Sequence, residues 1–204
     1  MEPSYDTTLA ESAYSLAARW DASRAISDVN KLGFAASDVG SYNSNQKSET
    51  LSVLSTFPIS ILHLIVVVFL ERLTTYPPLP STHIEYLGVL YDVVNTPNAE
   101  IRLRFYNFAL KDPKSPAALD FASRALKWVT GRDGTDVIKG RMKFCRPTFR
   151  AAARVDSTLA KEYFVRSKEE FHPIARKLIE KVGCEFKLRL SVNNDVNLKD
   201  LAST

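Results

Sequence analysis

The chain has 204 residues, 45% hydrophobic and 25% charged, which is enough apolar material for one self-supporting domain without covalent staples. Its net charge of +4 comes from 27 basic and 23 acidic residues interspersed along the chain, which excludes an extended nucleic-acid surface. Two cysteines, Cys145 and Cys184, with no second pair and no neighbouring histidine, exclude a disulfide framework and a zinc knuckle. The N-terminus, Met1-Glu2-Pro3-Ser4-Tyr5-Asp6, carries neither a secretory nor a transit pattern, so a cytoplasmic location is expected.

In chain order, Thr7 to Trp20 is the first predicted helix. Leu51 to Leu70 follows, 20 residues without Asp, Glu, Lys or Arg and long enough for a bilayer core. Ser52, Ser55, Thr56, Ser60, Pro58 and His63 argue against a membrane span, because polar groups in lipid are costly; a buried helix or an irregular insert is preferred. The stripe Ile84, Leu87, Tyr91, Val94 predicts a core-facing helix with Ser81 as its N-cap. Thr96-Pro97 opens another through Ile101, Phe105 and Phe108. The clearest helix follows Ser115, with Pro116 in the first helical position, Ala118, Phe121, Ala122, Ala125, Trp128 and Val129 on one face, and Gly131 past the end. Asp156-Ser157-Thr158 starts a long helix through Leu159, Tyr163 and Val165 to about Phe171, and Pro173 restarts the chain. Val182 to Leu198 interrupts this charged, helical C-terminus with strand-like, Asn-rich residues. The expected fold is all-α, a helical solenoid or bundle, although no fixed sequence period proves repeats.

Few residues carry chemistry. His63, His83 and His172 are scattered and none lies in His-Glu-x-x-His, so no metal site is read from them; His83 and His172 are read as structural residues at helix starts. Cys145 has no identifiable base and is read as a packed thiol. The informative segment is Gly-Arg-Met-Lys-Phe-Cys-Arg-Pro at 140–147, where Lys139, Arg141, Lys143 and Arg146 put four cations within eight positions. Clustered cations beside apolar side chains suit a sheltered carboxylate: an Arg fork binds both oxygens and a Lys adds a point charge. From spacing alone, a solvated basic helix end is the commoner meaning of such a run.

Taken with Phe171-His172-Pro173-Ile174-Ala175, this octapeptide resembles the C-terminal domain of the leukotriene-A(4) hydrolase/aminopeptidase family of zinc enzymes. Arg19-Trp20, Phe34-Ala35-Ala36-Ser37-Asp38, Pro78-Leu79-Pro80 with His83-Ile84, and Asn98-Ala99-Glu100-Ile101-Arg102-Leu103-Arg104 follow in the family's order. The resemblance implies HEAT-like or armadillo-like helices in a compact right-handed coil over residues 1–181, beside a zinc-containing catalytic domain in cis that this chain lacks. It further implies that Arg141 and Lys143 hold the free carboxylate of a peptide or fatty-acid epoxide, while Lys139 and Arg146 receive no role. Residues two apart diverge on a regular helix, so both can meet one anion only where the backbone is irregular or the Lys bends round; Gly140 and Pro147 make a break plausible there.

Relative to the family pattern, residues 48–65 and 182–199 read as insertions, expected to be retained intron sequence, and Met1 as an internal start in a longer gene. No catalytic residue, metal ligand or cofactor is therefore expected in this chain, and no activity from it alone. The alternative expectation is a non-enzymatic helical-repeat module that binds a protein partner.

Overall fold

The computed structural model describes residues 8–39, 59–135 and 141–181, and the side chains of all of these except 8–9 and 59–63. The described chain is helical throughout and forms two compact units, Met1–Lys111 and Asp112–Thr204. The expected insertion at 182–199 lies outside the described residues, as does most of the one at 48–65.

The first unit holds α1 (Thr8–Ala22), α2 (Ile59–Thr75), α3 (Ser81–Leu90) and α4 (Ala99–Ala109), with short 3-10 turns between α1 and α2. Helical spacing decides which faces are buried. Ala13, Leu16, Ala17 and Trp20 of α1, and Val66, Phe69, Leu70 and Leu73 of α2, recur at three and four residues and are buried. The two helices pack on each other, and α2 also packs on α4. At the centre, Trp20 stacks on Phe34 with ring centroids 4.0 Å apart and planes 3° off parallel. It meets Tyr91 edge-on and donates its indole N–H to the Tyr91 hydroxyl at 3.1 Å. A buried indole thus keeps a hydrogen bond that it would otherwise lose with water.

Helix α3 is shorter than its apolar stripe suggests. Ser81 is its first residue, not its cap, and the N-cap is Pro80. At the other end Asp92 takes φ 46°, so the amides of Asp92 and Val93 bond back to the carbonyls of Val89 and Gly88, and the helix stops at Leu90. Here Asp fills the left-handed position that Gly usually supplies. Tyr91 and Val94 stay in the core, but from the turn. Gly88 is fixed by packing: a Cβ there would lie 2.9 Å from the Phe105 ring of α4.

Polar groups in this unit tie its elements together. Arg104 bonds Glu100 one turn back at 2.8 Å and Glu71 of α2 at 2.7 Å. Lys111 donates to the carbonyls of Thr74, at 2.6 Å, and Tyr76 at the end of α2, and Arg24 donates to those of Pro77 and Pro78. The buried His83 ring lies 3.1 Å from the Ser23 carbonyl oxygen, which fits the structural role expected for it.

The second unit holds α5 (Pro116–Val129), α6 (Met142–Val155), α7 (Ser157–Ser167) and a further helical run at 173–181. The expected start and stop of α5 are both present. The Ser115 hydroxyl accepts from the Ala118 amide at 3.2 Å, and Gly131, at φ 70°, lets the amides of Gly131 and Arg132 close on the carbonyls of Trp128 and Lys127. Asp156 is the C-cap of α6 and the N-cap of α7, its carboxylate accepting from the Thr158 and Leu159 amides at 2.9 Å each. Phe149, Phe164 and Phe171 form an aromatic cluster with centroids 5.9 to 6.2 Å apart.

Among the described residues no helix is long and apolar enough to cross a membrane. Helix α2 covers the second half of the charge-free segment but starts at Ile59 and reaches Glu71 and Arg72.

Candidate anion-binding site at the start of α6

Helix α6 is the element the sequence hides best. Pro147 suggests a break, yet the helix runs through it from Met142 to Val155. Proline at the sixth helical position withholds the amide that would bond the Lys143 carbonyl. Pro147 stands on the half-exposed side of the helix, where a carbonyl released from the ladder costs least. The compensation is packing: Phe144, Cys145, Thr148, Phe149, Ala152 and Ala153 form a continuous buried face. Phe144 meets Trp128 of α5 edge-on with centroids 5.9 Å apart, and the Cys145 thiol lies 3.6 Å from the Val129 carbonyl oxygen. Cys145 is fully buried, a packed thiol as expected.

This anchoring sets the positions of the two candidate residues. Arg141 is the N-cap, with extended backbone at φ −70° and ψ 116°, and its carbonyl accepts the amides of Phe144 and Cys145 at 3.0 Å each. Lys143 is the second helical residue, with its ammonium 5.7 Å from the Phe144 ring centroid. Arg141, Met142 and Lys143 are all exposed. The irregular backbone required for residues two apart to serve one anion is therefore present, because Arg141 lies outside the helix that carries Lys143. The helix N-terminus between them adds a partial positive charge.

Arg146 is exposed one turn further on, while Lys139 and Gly140 lie outside the described residues. Exposed Arg150 and Arg154 extend the basic character along the helix, a feature that the sequence shows only once α6 is recognised. His172 is exposed, and its Nδ1 accepts the Ile174 amide at 3.3 Å, which makes it the cap of the last helical run. No group of three His, Cys, Asp or Glu among the described residues could hold a metal ion.

A family model described as leukotriene A4 hydrolase, C-terminal, matches residues 64–182, more than half of the sequence. The chain belongs to this family. Among curated relatives, leucine aminopeptidase 2 of Yarrowia lipolytica is 32% identical over 191 residues, covering 88% of this chain and 24% of the relative. A protein named leukotriene A-4 hydrolase homolog, from Botryotinia fuckeliana, is 29% identical, with 88% of this chain and 22% of that protein covered. The chain therefore spans about a quarter of the length of the relatives it matches. Among solved structures, yeast LTA4 hydrolase in complex with bestatin superposes with a TM-score of 0.63 over 89% of this chain and 27% of that one, at 24% identity. The all-helical fold expected from the sequence is thus that of the family's C-terminal domain.

Proposed function

We propose that this chain is the substrate-recognition and scaffolding domain of an aminopeptidase of the leukotriene A4 hydrolase type, and that Arg141 and Lys143 bind the free carboxylate of its substrate. The observation that carries this reading is the start of α6. There an Arg leaves the helix axis, a Lys remains on the first turn, and buried Phe144 and Cys145 hold the segment in place. A guanidinium fork and an ammonium flanking a helix N-terminus suit a carboxylate better than a neutral group.

The division of labour follows from the residues. The zinc that the family resemblance implies is assigned to a catalytic domain in cis, together with the bond-breaking chemistry. This chain's contribution is binding and register. A carboxylate fixed at Arg141 determines how far the other end of the substrate reaches and excludes substrates of the wrong length. A peptide C-terminus and a fatty-acid carboxylate present the same group to this pair.

The test is Arg141→Ala in a full-length enzyme rebuilt around this domain. Loss of a charged hydrogen bond to the substrate carboxylate is expected to cost about 2–3 kcal/mol in kcat/KM toward free tripeptides. Unchanged turnover of those peptides would remove the role.

A further inference from the structure

We propose that Pro77, Pro78 and Pro80 form a docking surface for a partner protein domain of the WW type, whose groove is lined with aromatic side chains. Three of the chain's ten prolines fall within these four residues, which join α2 to α3 outside any helix. Proline fixes φ near about −65°, and a residue that precedes proline is turned away from the helical region. Tyr76, Pro77 and Leu79 each precede a proline, so Tyr-Pro-Pro-Leu-Pro favours polyproline II conformation. Pro80 has it, at φ −56° and ψ 149°. Pro113 and Pro116 have the same spacing as Pro77 and Pro80, but there the Ser115 amide closes a turn on the Asp112 carbonyl and Pro116 opens α5. Conformation, not spacing, sets residues 77–80 apart.

Polyproline II has about three residues per turn and rises about 3.1 Å per residue. Pro77 and Pro80 therefore share one edge, about 9 Å apart, while Pro78 stands on a second edge and Leu79 on the third. Leu79 is buried and all three prolines are exposed. The core takes the one edge without proline, and the two proline edges are left to solvent. Arg24, itself paired with Asp21 at 2.6 Å, donates to the carbonyls of Pro77 and Pro78, and Lys111 donates to that of Tyr76. The segment is thus fixed before a partner arrives, and docking costs little conformational entropy. Each carbonyl has a second lone pair for a donor from the partner.

The segment also specifies its occupant. Three of its four residues have no amide N–H, so it cannot pair as a strand with a partner's sheet edge. It carries no charged side chain, so it offers nothing to an ion-pairing surface. What it presents is preformed proline rings, which dock between aromatic side chains. An SH3 groove takes two x-Pro pairs three residues apart, and the second pair here, Leu79-Pro80, has its Leu in the core. A WW groove takes one such pair, and Pro77-Pro78 is exposed in full. The surface lies in the first unit and does not depend on the roles of Arg141 and Lys143.

The experiment measures fluorescence anisotropy of a labelled WW domain that takes Pro-Pro-Leu-Pro peptides, titrated with the full 204-residue chain. Saturable binding is expected, weakened at least tenfold by combined Pro77→Ala and Pro78→Ala, and changed less than twofold by Pro113→Ala. An unlabelled Pro-Pro-Leu-Pro peptide should displace the chain. Should the double variant lose its helical circular dichroism, Pro78→Ala alone is expected to weaken binding about threefold with the helices retained. No binding to the wild-type chain would overturn the proposal, as would equal binding by the proline variants. So would unchanged binding after the groove tryptophan of the WW domain is replaced by Ala, or tighter binding of an SH3 domain.

Discussion

Arg24, Arg104 and Lys111 of the first unit and the cations of α6 in the second are held in different ways. In the first, Arg104 is three-quarters buried between Glu71 and Glu100, Lys111 closes the end of α2, and Arg24 holds the Pro77-Pro78 turn. These charges join elements and contribute to the fold. In the second, Arg141 at the N-cap and Lys143, Arg146, Arg150 and Arg154 on α6 itself all stand exposed, and the attachment of that helix depends on Phe144, Phe149 and a row of small residues. Arg104 is integrated into a frame that links two helices, whereas the α6 cations stand on a helix that is anchored from its other face. The carboxylate site proposed above lies among the cations of the second kind.

Substitutions at both kinds of position can break this contrast. The largest effect is expected at the centre of the first unit, where Trp20→Ala removes the stacked indole and its bond to Tyr91. Denaturant unfolding should show a loss of about 3–5 kcal/mol. A loss below about 1 kcal/mol would show that this aromatic cluster does not organise the unit.

A pH series sharpens the same point. Burial raises the pKa of the Tyr91 hydroxyl well above its ordinary value of 10, outweighing the hydrogen bond from Trp20, which lowers it. The unfolded chain ionises this group near pH 10 and the folded chain does so only at higher pH. The stabilisation is thus complete below about pH 10 and is lost as pH rises above it, at up to about 1.4 kcal/mol per pH unit. Tyr91→Phe should lose stability less steeply than the wild type over that range, and parallel slopes would contradict the assignment. The smallest of these effects belongs to the second unit. Asp156→Ala removes the cap joining α6 to α7 and should cost about 1 kcal/mol, read as a drop in melting temperature. No change would mean that packing alone sets the α6–α7 corner.

Much of this fold is legible in the sequence where local chemistry and tertiary structure agree. Ser115, Pro116 and Gly131 mark α5 because cap, first turn and left-handed stop each demand particular residues, and Asp156 marks α7 in the same way. The departures are places where packing overrides a local signal. Asp92 adopts a conformation associated with Gly, so α3 stops before its apolar stripe does. Pro147 sits inside α6 because the buried face on the other side of the helix holds it. The octapeptide at 140–147 reveals the family and its two candidate residues. It cannot reveal that the backbone turns helical at Met142, which is what separates Arg141 from the row formed by the later arginines.

The central claim is that Arg141 and Lys143 read a free carboxylate, and the most direct measurement compares two substrates in the rebuilt full-length enzyme. Turnover of a free tripeptide and of its C-terminal amide is measured with the wild type and with Arg141→Ala. The account predicts that the substitution lowers kcat/KM for the free peptide by the roughly 30- to 150-fold that about 2–3 kcal/mol implies, and leaves the already poor amide nearly unchanged. Equal losses on both substrates, or none on either, would contradict it.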